Sequence, residues 1–152
     1  PGGPIVITDD LIKLLKDDEL ILSVIAHEIA HIKERHSLQQ IVEIAGLSSI
    51  AWMIFGLDES ILEEIVFIGI NVWSLQKSRD LEKDADLMAL KLLEKTGMSK
   101  KSFIQAIEKL SKYYCLKTKI EKSICVDEIK SGWLSTHPTG AERLKYLNEN
   151  IN

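Results

Sequence analysis

A chain of 152 residues with 45 % hydrophobic content is long enough to bury a sizeable core in one domain. Its formal net charge of −4 argues against a nucleic-acid partner, for which a basic patch is expected, and it contains no glycine-rich phosphate loop. No internal repeat or low-complexity linker divides it, so residues 1–152 are expected to form a single domain.

In chain order, Pro1-Gly2-Gly3 leads into the apolar run Ile5 to Thr8, which predicts a short strand. A helix is expected from about Asp9 to Lys16, capped by Thr8 or Asp9, and a longer one from about Asp18 to His36. Ile21, Leu22, Val24, Ile25, Ile29 and Ile32 predict that this longer helix is largely buried. Ile44 to Leu57 then runs 14 residues without a charge, and Ile65 to Gln76 runs 12. A spanning helix needs about 20 apolar residues, so the two runs are expected to pair as a buried or interfacial helical hairpin ending near Leu75. Ser78 to Glu94 reads as helix from Leu81, Leu87, Leu90, Leu92 and Leu93 and from its lack of Gly and Pro, with Gly97 as its terminator. Another helix is expected over about Lys100 to Tyr114. The stretch Leu116 to Ser131 is polar and unassigned, and Pro138 opens a last helix reaching about Asn148. The expected fold class is mainly α (α+β), with a small sheet and an apolar hairpin.

The residues that carry chemistry sit in the second helix. His27, Glu28 and His31 spell His-Glu-Ile-Ala-His. Residues four apart share a helix face, so the two imidazoles can converge on one metal ion. Glu28 lies about 100° round the helix from His27, close enough to reach a metal-bound water and poorly placed as a third ligand on that face. It is the natural general base. Hydrolytic zinc keeps three protein ligands and leaves the fourth position to water, whose pKa falls to about 7. A third histidine six residues past His31 is excluded, because that position is Ser37. His36 lies nine residues beyond His27, roughly 180° away on a helix wheel at 3.6 residues per turn, and is read as structural, against the alternative of binding the metal or backing one of its ligands. Glu82 and Asp86, again four apart on a helix, are assigned as third ligand and as acceptor of the spare ring N–H of a liganding histidine, respectively. One Zn²⁺ per chain is expected. Burying two histidines and a glutamate in an apolar helix is costly without a partner such as a metal.

These residues resemble the family of membrane-associated zinc metalloendopeptidases that includes HtpX, the Ste-type CaaX prenyl protease and the OMA-type protease, with a gluzincin-like catalytic domain. The resemblance runs through Pro1-Gly2-Gly3 and the apolar segment behind it, Ala26-His27-Glu28-Ile29-Ala30-His31 with Arg35-His36, Ser78-Arg79 ahead of Glu82 and Ala85-Asp86, and Ser135-Thr136-His137-Pro138 with Arg143 and Leu147. Trp133-Leu134-Ser135-Thr136-His137-Pro138 brings it nearest the OMA-type branch. The resemblance implies that His27, His31 and Glu82 bind zinc and that Glu28 is catalytic. His137 is left between oxyanion stabilisation and opening a helix ahead of Pro138. Arg143 is left between pairing with an acidic group near the site, binding substrate, and a solvated surface position. The family's usual Asn-x-Phe-like strand before Pro-Gly-Gly is not in this sequence, which suggests a catalytic domain excised or processed from a longer, membrane-anchored chain.

The expected activity is metalloendopeptidase cleavage of peptide, unfolded-protein or membrane-protein substrates in membrane-protein quality control or processing. The alternative is a zinc-bound holdase whose apolar hairpin captures partners. Trp52, Met53, Phe55, Phe67 and Trp73 leave membrane-surface contact through residues 44–76 open, and membrane association is expected. Cys115 and Cys125 lack Cys-x-x-Cys spacing and are read as free thiols, with a single bridge as the alternative.

Overall fold

The computed structural model describes residues 4–55, 78–118, 137 and 141–151. Six helices form among these residues. They are α1 (Asp9–Leu15), α2 (Asp18–Lys33), α3 (His36–Phe55), α4 (residues 78–95), α5 (Lys100–Thr118) and α6 (Ala141–Glu149).

The helix starts follow local chemistry. Thr8 holds extended backbone and its hydroxyl accepts the Leu11 amide at 3.3 Å, while Asp9 and Asp10 place negative charge on the first turn of α1. Asp17 does the same for α2, accepting the amides of Glu19 and Leu20 at 2.9 and 3.3 Å. Gly97, at φ 73°, ends α4 as expected. Its amide and that of Met98 return to the carbonyls of Glu94 and Leu93.

Two clusters make the core, and α2 and α5 contribute to both. Leu15 of α1, Leu20 and Val24 of α2, and Ala106 and Leu110 of α5 form one. Ala26 of α2, Ala89, Leu90 and Leu93 of α4, Phe103, Ile104 and Ile107 of α5, and Leu147 of α6 form the other. Along α2 the buried stripe runs Leu20, Val24, His27, at steps of four and three, so the first motif histidine lies where a core residue would. Along α4 the stripe runs Glu82, Asp86, Ala89, Leu93, and its first two positions are carboxylates.

Several expectations are corrected. The long second helix does not reach His36. It ends at Lys33, Arg35 takes the left-handed conformation at φ 56°, and α3 starts afresh at His36. Leu22, Ile29 and Ile32 remain exposed, so α2 buries one face and not its circumference. No strand forms among the described residues, and residues 4–8 carry no regular structure. The expected hairpin falls partly on α3, while residues 56–77 lie outside the described residues. Cys115 is disulfide-bonded and not a free thiol; Cys125, the only other cysteine in the chain, lies outside the described residues. No described helix is long and apolar enough to cross a membrane.

Candidate metal centre

Four side chains meet where α2 faces α4. His27, His31, Glu82 and His137 each offer a ligand atom, all within 4.8 Å of one another. His27 Nε2 lies 3.0 Å from His31 Nε2 and 3.4 Å from Glu82 Oε2, and His31 Nε2 lies 3.1 Å from Glu82 Oε1. The Nδ1 of His137 is 2.9 Å from Glu82 Oε1 and 3.3 Å from His27 Nε2. Ligands of a tetrahedral zinc ion at about 2.1 Å stand about 3.4 Å apart, so these side chains need little movement to hold one. The donor set, imidazole nitrogens and a carboxylate, is the kind zinc takes.

The electrostatics of this pocket also favour a cation. Burial opposes ionisation of Glu82, but its contacts with His137, His27 and His31 outweigh that and hold its carboxyl well below the usual range. Burial likewise disfavours charge on His27, yet its hydrogen bond to Asp86 and its contact with Glu82 raise its affinity for a proton. A site that draws a proton onto a fully buried imidazole presents negative potential to a metal ion as well.

Asp86 holds His27 from behind. Its Oδ1 is 2.9 Å from His27 Nδ1, within reach of the ring N–H. Asp86 is itself gripped by Arg143, whose Nε and Nη2 donate to its two oxygens at 2.8 and 2.7 Å, and by the Tyr146 hydroxyl. Burial works against the Asp86 charge, and Arg143 with His27 more than compensates, leaving its carboxyl below the ordinary value. Arg143 also reaches Glu82 Oε2 at 3.4 Å and donates to the backbone carbonyl of His137 at 3.2 Å. Arg143 thus pairs with acidic groups beside the site and is buried, not solvated. Phe103 of α5 stacks on the His27 ring, centroids 5.5 Å apart.

Glu28 is turned towards the opening, its Oε1 3.4 Å from His137 Nε2. Glu28, His31 and His137 line a cavity of about 460 Å³ whose other wall includes Ile5, Val6 and Ile7. The sequence reading missed two neighbours, Tyr146 and Asp84, and read a third, His36, as structural. Tyr146 could have been found from its place one turn beyond Arg143. Asp84 was hidden among the acidic residues of α4. His36 is buried, with its Nδ1 3.0 Å from His31 Nδ1 and its Nε2 3.2 Å from Asp84 Oδ2. Burial pulls the His36 imidazole below its ordinary pKa despite Asp84.

The family model "Peptidase family M48" matches residues 1–151. The chain belongs to peptidase family M48. Two curated proteins named mitochondrial metalloendopeptidase OMA1 are similar to it. The one from Arabidopsis thaliana is 29 % identical over 97 % of this M48 chain, and the one from Saccharomyces cerevisiae is 22 % identical over 98 %. The chain spans 27 % and 41 % of the length of these two relatives. These matches agree with the resemblance to the OMA-type branch. No solved structure matches the chain.

Proposed function

We propose that residues 1–152 form a zinc-dependent metalloendopeptidase catalytic domain. The observation that carries this reading is the convergence of His27, His31 and Glu82 beside Glu28 in a buried, electronegative pocket that opens on a cavity. His27 Nε2, His31 Nε2 and the Glu82 carboxylate would hold one zinc ion per chain. Zinc at this position supplies a Lewis acid for the scissile carbonyl and lowers the pKa of a water to about 7.

Glu28 would take a proton from the attacking water and pass it to the leaving amine. His137 lines the same cavity with Nε2 beside Glu28; with its Nδ1–H held by Glu82, it would donate from a second proton on Nε2 to the oxygen of the attacked carbonyl, where negative charge develops. Asp86 accepts the His27 ring N–H, which leaves the Nε2 lone pair free to ligate, and Arg143 keeps Asp86 ionised and oriented. No residue is acylated, so cleavage proceeds without a covalent intermediate.

The cavity, with Ile5, Val6 and Ile7 along one side, suits an extended apolar peptide and so an unfolded or membrane-protein substrate. Exposed Ile41, Val42 and Met53 on α3 support membrane-surface contact and a role in membrane-protein quality control or processing. Cleavage of unfolded casein by wild type and by Glu28→Gln tests the mechanism. Glu28→Gln is expected to keep its zinc and lose cleavage, and an active variant would remove Glu28 from its role.

A further inference from the structure

The two motif histidines are backed differently. His27 passes its Nδ1–H straight to a carboxylate, Asp86. Among the described residues His31 faces no carboxylate behind it and instead meets another imidazole, His36, whose ring stands edge-on at 84° with centroids 4.9 Å apart. We propose that His36 is a positioning residue of the metal site, accepting the Nδ1–H of His31 at its own Nδ1 while its Nε2–H is held by Asp84. This rests on the reading of His31 as a zinc ligand.

The protons in this chain have one consistent arrangement. A ligating Nε2 on His31 must offer a lone pair, so the ring proton of neutral His31 sits on Nδ1 and points at His36. His36 Nδ1 must then accept, which puts its proton on Nε2, 3.2 Å from the Asp84 carboxylate. The sequence Asp84–His36–His31 thus fixes both the tautomer and the ring plane of the ligand. Helix α4 supports the site at three points: Glu82 at the ion, Asp86 behind His27 and Asp84 behind His36.

The backbone supplies the approach. In an unbroken helix, residues five apart point about 140° away from each other. The left-handed turn at Arg35 between α2 and α3 folds His36 back against the side chain it follows by five positions. A non-glycine residue in that conformation is disfavoured and persists where its surroundings require it.

Zinc affinity, read by competition with a chromophoric chelator, tests the proposal through His36→Phe and His36→Asn. Phenylalanine fills the space without an acceptor, whereas the asparagine carbonyl replaces the acceptor near the position of Nδ1. His36→Phe is expected to weaken zinc binding about 10–100-fold, the range for outer partners of metal ligands, with helix content retained and His36→Asn recovering much of the loss. Unchanged affinity in His36→Phe, with zinc lost in His31→Ala, would overturn the positioning role alone. Unchanged affinity in both variants would overturn the ligand set beneath it. Long-range ¹H–¹⁵N imidazole spectra of the zinc-loaded wild type check the same point without substitution. Protons on His31 Nδ1 and His36 Nε2 are expected, and a proton on His36 Nδ1 would refute the arrangement.

Discussion

Arg143 and His137 separate two ways in which a side chain can serve the same pocket. Arg143 is buried and its charge is answered by Asp86 in a two-pronged contact and by Glu82. Removing one partner of such a pair strands the other, so Arg143→Ala should destabilise the fold by about 3–5 kcal/mol in urea unfolding. Arg143→Lys should recover little of this, since one ammonium cannot donate along both fork directions. His137 lies close enough to serve as a ligand or as a donor to the reacting carbonyl. The assigned role predicts that His137→Ala keeps its zinc and loses about 10²–10³-fold in kcat. A large fall in zinc affinity in that variant would make His137 a ligand.

At the scale of elements, α5 braces the candidate metal site without supplying a proposed ligand. Phe103 is fully buried and stacks on His27, so Phe103→Ala should cost about 3–5 kcal/mol of stability. The loop between α2 and α3 matters as much. Proline at position 35 would lock φ near −65° against the observed 56°, and Arg35→Pro should weaken zinc binding although position 35 supplies no ligand; an unchanged zinc titration would count against the turn. The helices and the histidine spacing were legible in the sequence because a step of four fixes a helix face whatever surrounds it. Glu82 and Asp86 were legible for the same reason, and fall in the stripe that Ala89 and Leu93 continue. The break after Lys33 was not legible. Glu34 and Arg35 are ordinary helix formers, and neither Gly nor Pro marks the turn, so His36 was projected onto the wrong side of an unbroken helix. Leu22, Ile29 and Ile32 were expected inside because they are apolar, but apolar residues also populate surfaces.

For the molecule as a whole, metal and fold are coupled. The proposed ligands come from α2 and α4, 51 residues apart in sequence between His31 and Glu82, and an ion bound there would tie these elements together. Zinc at 100 times its Kd should therefore stabilise the folded state by about 2.7 kcal/mol, and a chelator should lower the thermal midpoint reversibly. The most direct measurement is zinc content per chain in the wild type, His27→Ala, His31→Ala, Glu82→Ala and Glu28→Gln, each checked for helix content. One zinc per chain in the wild type and Glu28→Gln, with little or none in the other three, is the predicted result. Zinc retained in the three ligand variants, or absent from the wild type in zinc-containing buffer, would contradict the site.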